Sequence, residues 1–293
     1  MKILTQIISL ETRSQYALVF WRLGQAIRLV WVMVTARVEI TVSRIAGKVR
    51  SMTIDEVLET YDDSYAQRYD ESFLLTPDHG FLHKTRFEVE LLRELTHRAA
   101  SWLDVACGTG YFLEEGRGRP NIMCAGLDLS SAMLAVARRR NPDALFVQGS
   151  FLEPRADFRG RWEVTSCMWG AYGLQETLSD IETLVANLAA WTAVGGRCFL
   201  PVFDLSLFED RRVRGVLIPG VEVDLARDRW SFREPDGKVH RDMLTPPVTV
   251  MVDMLQRHFG EVQSVPYPIT PGQENSLPMI AVVATKRENA AGE

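Results

Sequence analysis

The sequence predicts an α/β protein built on a mainly parallel sheet with helices on both faces. Three observations carry this. Short apolar runs alternate with helical segments from Ser101 onward. The first run leads into a glycine-bearing turn, Ala106-Cys107-Gly108-Thr109-Gly110. A carboxylate, Asp128, ends the second run 18 residues beyond Gly110.

The strands read, in order, as Trp102–Ala106, Ile122–Leu129, Ala144–Gln148, Trp162–Met168 and Arg197–Phe203, with Val262–Tyr267 and Met279–Lys286 closing the sheet. Between them, Ser130–Arg140 is a helix ended by Asn141-Pro142. Thr177-x-x-Asp180 is a capping box before Leu178, Ile181, Leu184 and Leu188, and Gly195-Gly196 closes that helix. Val248–Phe259 is the last helix. The alternation breaks between Leu205 and Pro247, where Gly220–Leu225, Arg229–Phe232 and Val239–Leu244 read as an antiparallel insertion with a turn at Pro235-Asp236-Gly237.

Ahead of the sheet, Leu82–Ala99 is a helix with Phe87, Leu91, Leu92 and Leu95 inward. Ser51 to Arg68 is a polar helix whose Tyr61, Tyr65 and Tyr69 share one face. The chain thus divides into a leader (1–50), a helical cap with its lead-in helix (51–100), a core (101–204), an antiparallel insertion (205–247) and the end of the core sheet (248–293).

Charge sets the leader apart. Residues 1–50 carry +6 and the remaining 243 carry −11, for a net −5. The acidic body argues against nucleic acid as a partner, because that affinity is built from Lys and Arg on phosphates. Between Arg13 and Arg44 no uncharged run exceeds eight residues, too short to span a membrane. The leader also lacks the pattern of a signal peptide. Two readings remain for it: a peripheral contact with an anionic membrane, or a helix docking on this or a second subunit. The four cysteines form no CxxC, so neither a zinc site nor a disulfide framework is expected, and a cytoplasmic location fits.

Glycines let the backbone approach a ligand closely, and a helix N-terminus behind them would add free N–H groups. A dinucleotide fingerprint needs a small residue at position 113, where this chain has Leu113, which argues against NAD and FAD. Asp128 can accept from the two hydroxyls of a ribose, or cap the following helix. Asp104 orders the turn or meets a ligand ammonium.

Leu103–Tyr111 together with Gly126-Leu127-Asp128-Leu129-Ser130-Ser131-Ala132-Met133-Leu134 resembles motifs I and II of class I S-adenosylmethionine-dependent methyltransferases. The likeness continues through Phe146–Phe151, Trp162–Trp169 and Ala193–Arg197 and covers roughly residues 54–287. It is nearest to small-molecule enzymes, amino-sugar N-methyltransferases among them, through the Ala106–Gly110 turn and Tyr172-Gly173-Leu174. The resemblance implies a Rossmann-like seven-stranded sheet with an antiparallel last strand, and S-adenosyl-L-methionine as cofactor. It implies that Asp104, Ala106, Gly108 and Gly110 line the methionine moiety and Asp128 holds the ribose. Leu129 and Met133 would flank the adenine. Ser150 and Phe151 would bind its edge, with Ser150 standing where the family usually has Asp. An arginine at Gly110 would then fill the cofactor cleft. Tyr61, Tyr65 and Tyr69 match the segment that caps the cofactor, where a ring favours a sulfonium. Met168, Trp169 and Tyr172 would border a small-molecule acceptor, a sugar or natural-product-like metabolite methylated on N or O. A membrane-borne lipid or quinone acceptor, or a non-catalytic binding protein of the same fold, are the alternatives. A hydroxyl acceptor would gain from a base; the candidates are His79, His83, His240, Tyr172 and Asp204. No metal is expected.

Overall fold

The computed structural model describes residues 52–77, 80–208, 219–234, 237–268 and 276–287. The leader and His79 lie outside them. The first helix, α1 (Ile54–Thr60), opens on a Thr53–Glu56 capping box. Where the sequence predicts one continuous helix, the chain breaks at Tyr61 and restarts as α2 (Asp63–Tyr69). The cause is local: the Asp62 carboxylate accepts from Tyr65 N at 2.8 Å and caps a new helix. The freed carbonyl of Tyr61 accepts from the Ser130 hydroxyl at 2.8 Å. The break still leaves the three tyrosines together, with ring centroids 5.5–6.4 Å apart and edges on faces. A π-helical turn (Asp70–Leu74) leads towards α3 (Phe81–Thr96).

Seven strands follow in one sheet, ordered β3-β2-β1-β4-β5-β10-β9. They are β1 (Ser101–Val105), β2 (Met123–Asp128), β3 (Leu145–Gln148), β4 (Trp162–Cys167), β5 (Thr192–Phe203), β9 (Gly260–Pro266) and β10 (Met279–Lys286). The first five pair in parallel, and β10 runs antiparallel between β5 and β9. Helices α4 (Ser131–Arg140), α5 (Leu178–Trp191) and α6 (Val248–Phe259) complete the α/β layers. The insertion forms its own antiparallel sheet of β6 (Val221–Asp224), β7 (Arg229–Arg233) and β8 (Val239–Leu244). The expected Rossmann-like fold with a helical cap and an antiparallel insertion is what the chain adopts.

Three local expectations need correction. Gly195-Gly196 does not close α5, whose C-cap is Thr192. Both glycines lie inside β5, in a bulge where Thr192 and Arg197 face Trp162 and Val164. A Cβ on Gly196 would sit 2.8 Å from the carbonyls of Ala193 and Glu163, so only glycine fits. The turn after β1 leads into a five-residue 3₁₀ helix (Phe112–Gly116) instead of an α-helix, so no α-helix N-terminus stands behind it. Finally, Gly110 does not face the ligand side. A Cβ there would lie 2.8 Å from Asn141 Nδ2 and 3.0 Å from Ala137 Cβ, both at the end of α4. An arginine at this position would collide with α4 before reaching any cleft.

The two glycines of this turn should therefore respond differently. Gly110→Ala combines a left-handed backbone (φ +69°) with a collision, and should cost about 2–5 kcal/mol of stability. At Gly108, φ is +52° but a Cβ meets nothing within 4 Å, so alanine should cost only about 1–2 kcal/mol. Denaturant melts of the two variants check the order.

Candidate active site

Strand order reverses between β1 and β4, and a cleft outside the carboxyl ends of the strands is where such sheets take ligands. The chain builds one there. Its floor is the β1 turn (Ala106, Gly108), the end of β2 (Asp128, Leu129), the β3 loop (Gly149, Ser150, Phe151) and the segment after β4 (Met168, Trp169). Met133 of α4 closes one side. Tyr61, Tyr69 and the apolar stripe Ile54, Val57 and Leu58 of α1 close the top.

Asp128 organises this floor. Its Oδ2 accepts from Gly108 N and its Oδ1 from Ser130 N, each at 2.8 Å. Burial pushes its carboxyl up, and backbone N–H groups of Ser130, Gly108 and Leu129 pull against that shift. Each carboxylate oxygen keeps a second lone-pair site for a ligand hydroxyl. The capping role belongs to Ser130, whose hydroxyl accepts from Met133 N. Ser150 Oγ accepts from Leu152 N at 3.1 Å and still lines the cleft.

Two latches hold the cap over the floor. In the first, Arg140 bonds both Asp70 and Thr109, and Thr109 Oγ1 donates to Asp70 at 2.5 Å. This ties the end of α2 to the glycine turn. In the second, Tyr65 donates to Glu234, which also meets His240 Nε2 at 2.5 Å. All three residues are buried, and they join α2 to the insertion sheet. Lys238 adds a contact, donating to Thr60 O at 2.5 Å with its ammonium 3.6 Å from the Tyr65 ring centre.

Of the residues singled out from sequence, Tyr69, Ala106, Gly108, Asp128, Leu129, Met133, Ser150, Phe151 and Met168 line the cleft together. Others do not. Asp104 is enclosed beneath the floor, where Oδ1 accepts from Ser166 Oγ at 2.6 Å and Oδ2 has no partner among the described residues. Tyr172 is fully buried and its hydroxyl accepts from Phe203 N at 3.3 Å. His240 stacks on Phe232 within the second latch. His83 is half-buried on α3 and does not line the cleft, and Asp204 caps the chain after β5. No cluster of three metal-ligating side chains occurs among the described residues. Among the described residues, the titratable groups lining the cleft are Asp128 and the tyrosines 61 and 69, whose hydroxyls burial pushes well above the ordinary phenol value.

Sequence reasoning missed the lip made by α1. A signal existed: Ile54, Val57 and Leu58 stand at i, i+3, i+4, yet α1 buries no residue. An apolar stripe without a core faces something else, here the cleft.

Comparisons with known proteins agree with this geometry. Residues 103–196 match a family model described as a methyltransferase domain. A Streptomyces venezuelae protein, dTDP-3-amino-3,4,6-trideoxy-alpha-D-glucopyranose N,N-dimethyltransferase, is 31% identical over 211 residues, covering 70% of this chain and 84% of its own. A Saccharopolyspora spinosa protein, dTDP-4-amino-2,3,4,6-tetradeoxy-D-glucose N,N-dimethyltransferase, is 30% identical over 177 residues, covering 60% and 68%. The fold resembles an S-adenosylmethionine-dependent methyltransferase of Clostridium acetobutylicum, with TM-score 0.53 and 14% identity over 77% of this chain and 99% of that one.

The buried Asp104 makes a prediction about pH. Burial holds its carboxyl up at about 7 against an ordinary 3.8, with Ser166 pulling the other way. The fold therefore favours the neutral form. The stability this contributes is fully present below the unfolded value and is lost as pH rises through about 7. Asp104→Asn cannot ionise, so its melting temperature should gain on the wild type from pH 4 to pH 8. A constant difference across that range would contradict the burial argument.

Proposed function

The chain belongs to the class I S-adenosylmethionine-dependent methyltransferases, and from that premise we propose that it methylates the amino group of a nucleotide-linked amino sugar. It is an enzyme that uses S-adenosyl-L-methionine to methylate a small molecule, so the non-catalytic alternative falls away. The nature of the acceptor is our reading. The observation that carries it is the set of titratable groups lining the cleft among the described residues. Asp128 is engaged by backbone N–H groups, and Tyr61 and Tyr69 stay protonated. A hydroxyl acceptor gains from a base in such a place, whereas a neutral amine brings its own lone pair. The names of the relatives point to the same acceptor class.

The cleft suits the cofactor by its own chemistry. The strip over Gly108 is open, since a Cβ there meets nothing within 4 Å. We assign Asp128 to the ribose hydroxyls, Leu129 and Met133 to the adenine faces, Ser150 and Phe151 to its edge, and Ala106 and Gly108 to the methionine chain. Bound there, S-adenosylmethionine supplies an electrophilic methyl on a sulfonium. The protein aligns and encloses. Tyr69 and Tyr61 offer ring faces that favour a cation. The two latches keep cap and floor in register, which is where such an enzyme gains rate. Asp104 and Gly110, placed beneath the floor and against α4, act by supporting the turn. The amine lone pair would take the methyl as the carbon–sulfur bond breaks and its electrons stay on sulfur, and the methylated amine would lose one proton to water.

The test is methyl transfer to nucleotide-linked amino sugars, followed by mass spectrometry. Products one or two methyl groups heavier are expected, with the amino-free sugar unreactive. Asp128→Ala should weaken S-adenosylmethionine binding about tenfold to a hundredfold by calorimetry, as loss of hydrogen bonds from a charged acceptor does. Methylation of an oxygen, or of a lipid or quinone instead, would overturn the reading.

We further propose a cytoplasmic enzyme, its cysteines at 107, 124, 167 and 198 free and buried. No helix among the described residues is long and apolar enough to cross a membrane. The +6 leader lies outside the catalytic part; we assign it to a peripheral contact with an anionic membrane or with a second copy of the chain. Deleting residues 1–50 should abolish sedimentation with anionic liposomes or halve the mass in solution, and no change in either would refute both.

A further inference from the structure

Helix α3 turns two ionisable groups into the core. Lys84 and Glu88, one turn apart, are 5% and 0% exposed, whereas the apolar Phe87 and Leu91 of the same helix are only half-buried. Leu92 and Leu95 are buried as expected, and Lys84 and Glu88 join them on the inward side. Burying such groups is costly unless they bond or pair. Glu88 Oε1 accepts from the Tyr267 hydroxyl at 2.5 Å. Its Oε2 has no partner among the described residues, and neither does the buried Nε1 of Trp169. Yet the Trp169 N–H lies near enough to favour the ionised form of the Glu88 carboxyl. A buried donor and a buried acceptor are thus both left without a closed hydrogen bond.

Trp169 gives this pair its meaning. The residue lines the cleft just past β4, with the rings of Phe73 and Phe81 packed edgewise at 5.1 Å. Its backbone is left-handed at φ +53°. A bulky residue holds that conformation only where its surroundings impose it. The residue borders the cleft, while its N–H is buried and acts on the Glu88 carboxyl. The geometry points to Glu88 as a positioning residue for the acceptor: through the indole N–H it sets the tilt of the Trp169 wall.

Burial holds the Glu88 carboxyl up at about 8. The charged and titratable groups facing it are Lys84 from its own helix, Asp104 from β1 and Tyr267 from the segment after β9. Near neutrality the carboxyl is protonated and pulls weakly on the indole. Once ionised, it accepts the N–H more strongly, and the wall turns with it. Glutamine keeps the acceptor oxygen but removes the titration.

The inference rests on the amine-acceptor reading only in its kinetic arm, so the first test uses the protein alone. Tryptophan fluorescence of the full chain, minus that of Trp169→Phe, should show a transition centred near pH 8 that Glu88→Gln abolishes. Absence of the transition, or its survival in Glu88→Gln, would overturn the proposal whatever the acceptor is. In the kinetic arm, Glu88→Leu should raise the acceptor KM tenfold or more with S-adenosylmethionine affinity unchanged. Glu88→Gln should restore the wild-type KM at pH 7 and lose its variation between pH 7 and 9. An equal loss of cofactor affinity would reduce Glu88 to a fold-supporting residue and reject the assignment. Should Glu88→Leu fail to fold, Glu88→Gln decides the question alone.

Discussion

The site hangs on one carboxylate. Asp128 takes the N–H of Gly108 on one oxygen and that of Ser130 on the other. With these two bonds it fixes the turn after β1 to the start of α4. Ser130 then passes the constraint on, since its hydroxyl donates to Tyr61 O and sets where the cap helix breaks. Three segments far apart in sequence thereby take their positions from a single side chain. Charge-assisted bonds to backbone donors in a buried place are the strong kind. They also leave lone-pair sites open, so the group that builds the floor can still hold a ligand.

The cap is fastened at its middle and left soft at its lip. The Arg140–Asp70–Thr109 and Tyr65–Glu234–His240 latches grip α2 from the core and from the insertion. Helix α1 buries nothing, and its Glu56–Arg241 ion pair is exposed, a kind of contact that adds little. Local opening starts where apolar contacts are few. A cleft that must admit a cofactor and an acceptor, and then exclude water, is served by a firm wall of tyrosines with a compliant lip beyond it.

Much of the fold was legible in the sequence because buried parallel strands are written as plain apolar runs. The glycine turn and Asp128 located the cleft because a close backbone approach and a carboxylate at a strand end leave few alternatives. The insertion was legible too, from turn residues between runs. What failed depended on partners distant in the chain. Gly110 looked like a ligand contact, yet it answers to Ala137 and Asn141. Gly195-Gly196 looked like a helix stop, yet it serves a bulge against β4. The inward face of α3 was right at Leu92 and Leu95 but missed Glu88, which finds Tyr267 some 180 positions away, a pairing that periodicity cannot announce. His240 looked like a base until Glu234 and Tyr65 enclosed it.

The strained residues give the site a final regularity. Ala106 and Trp169 are both left-handed, at φ +55° and +53°. They follow β1 and β4, the adjacent strands between which the sheet reverses its order. Each such non-glycine residue costs on the order of 1–3 kcal/mol, so the fold carries strain on both sides of its switch point. Both residues line the cleft. Relaxing Ala106 to glycine would loosen the turn that Asp128 holds, and relaxing Trp169 would withdraw a ring from the wall. The strain is therefore best understood as the cost of bringing backbone and indole to the ligand, which the dense packing behind them makes tolerable.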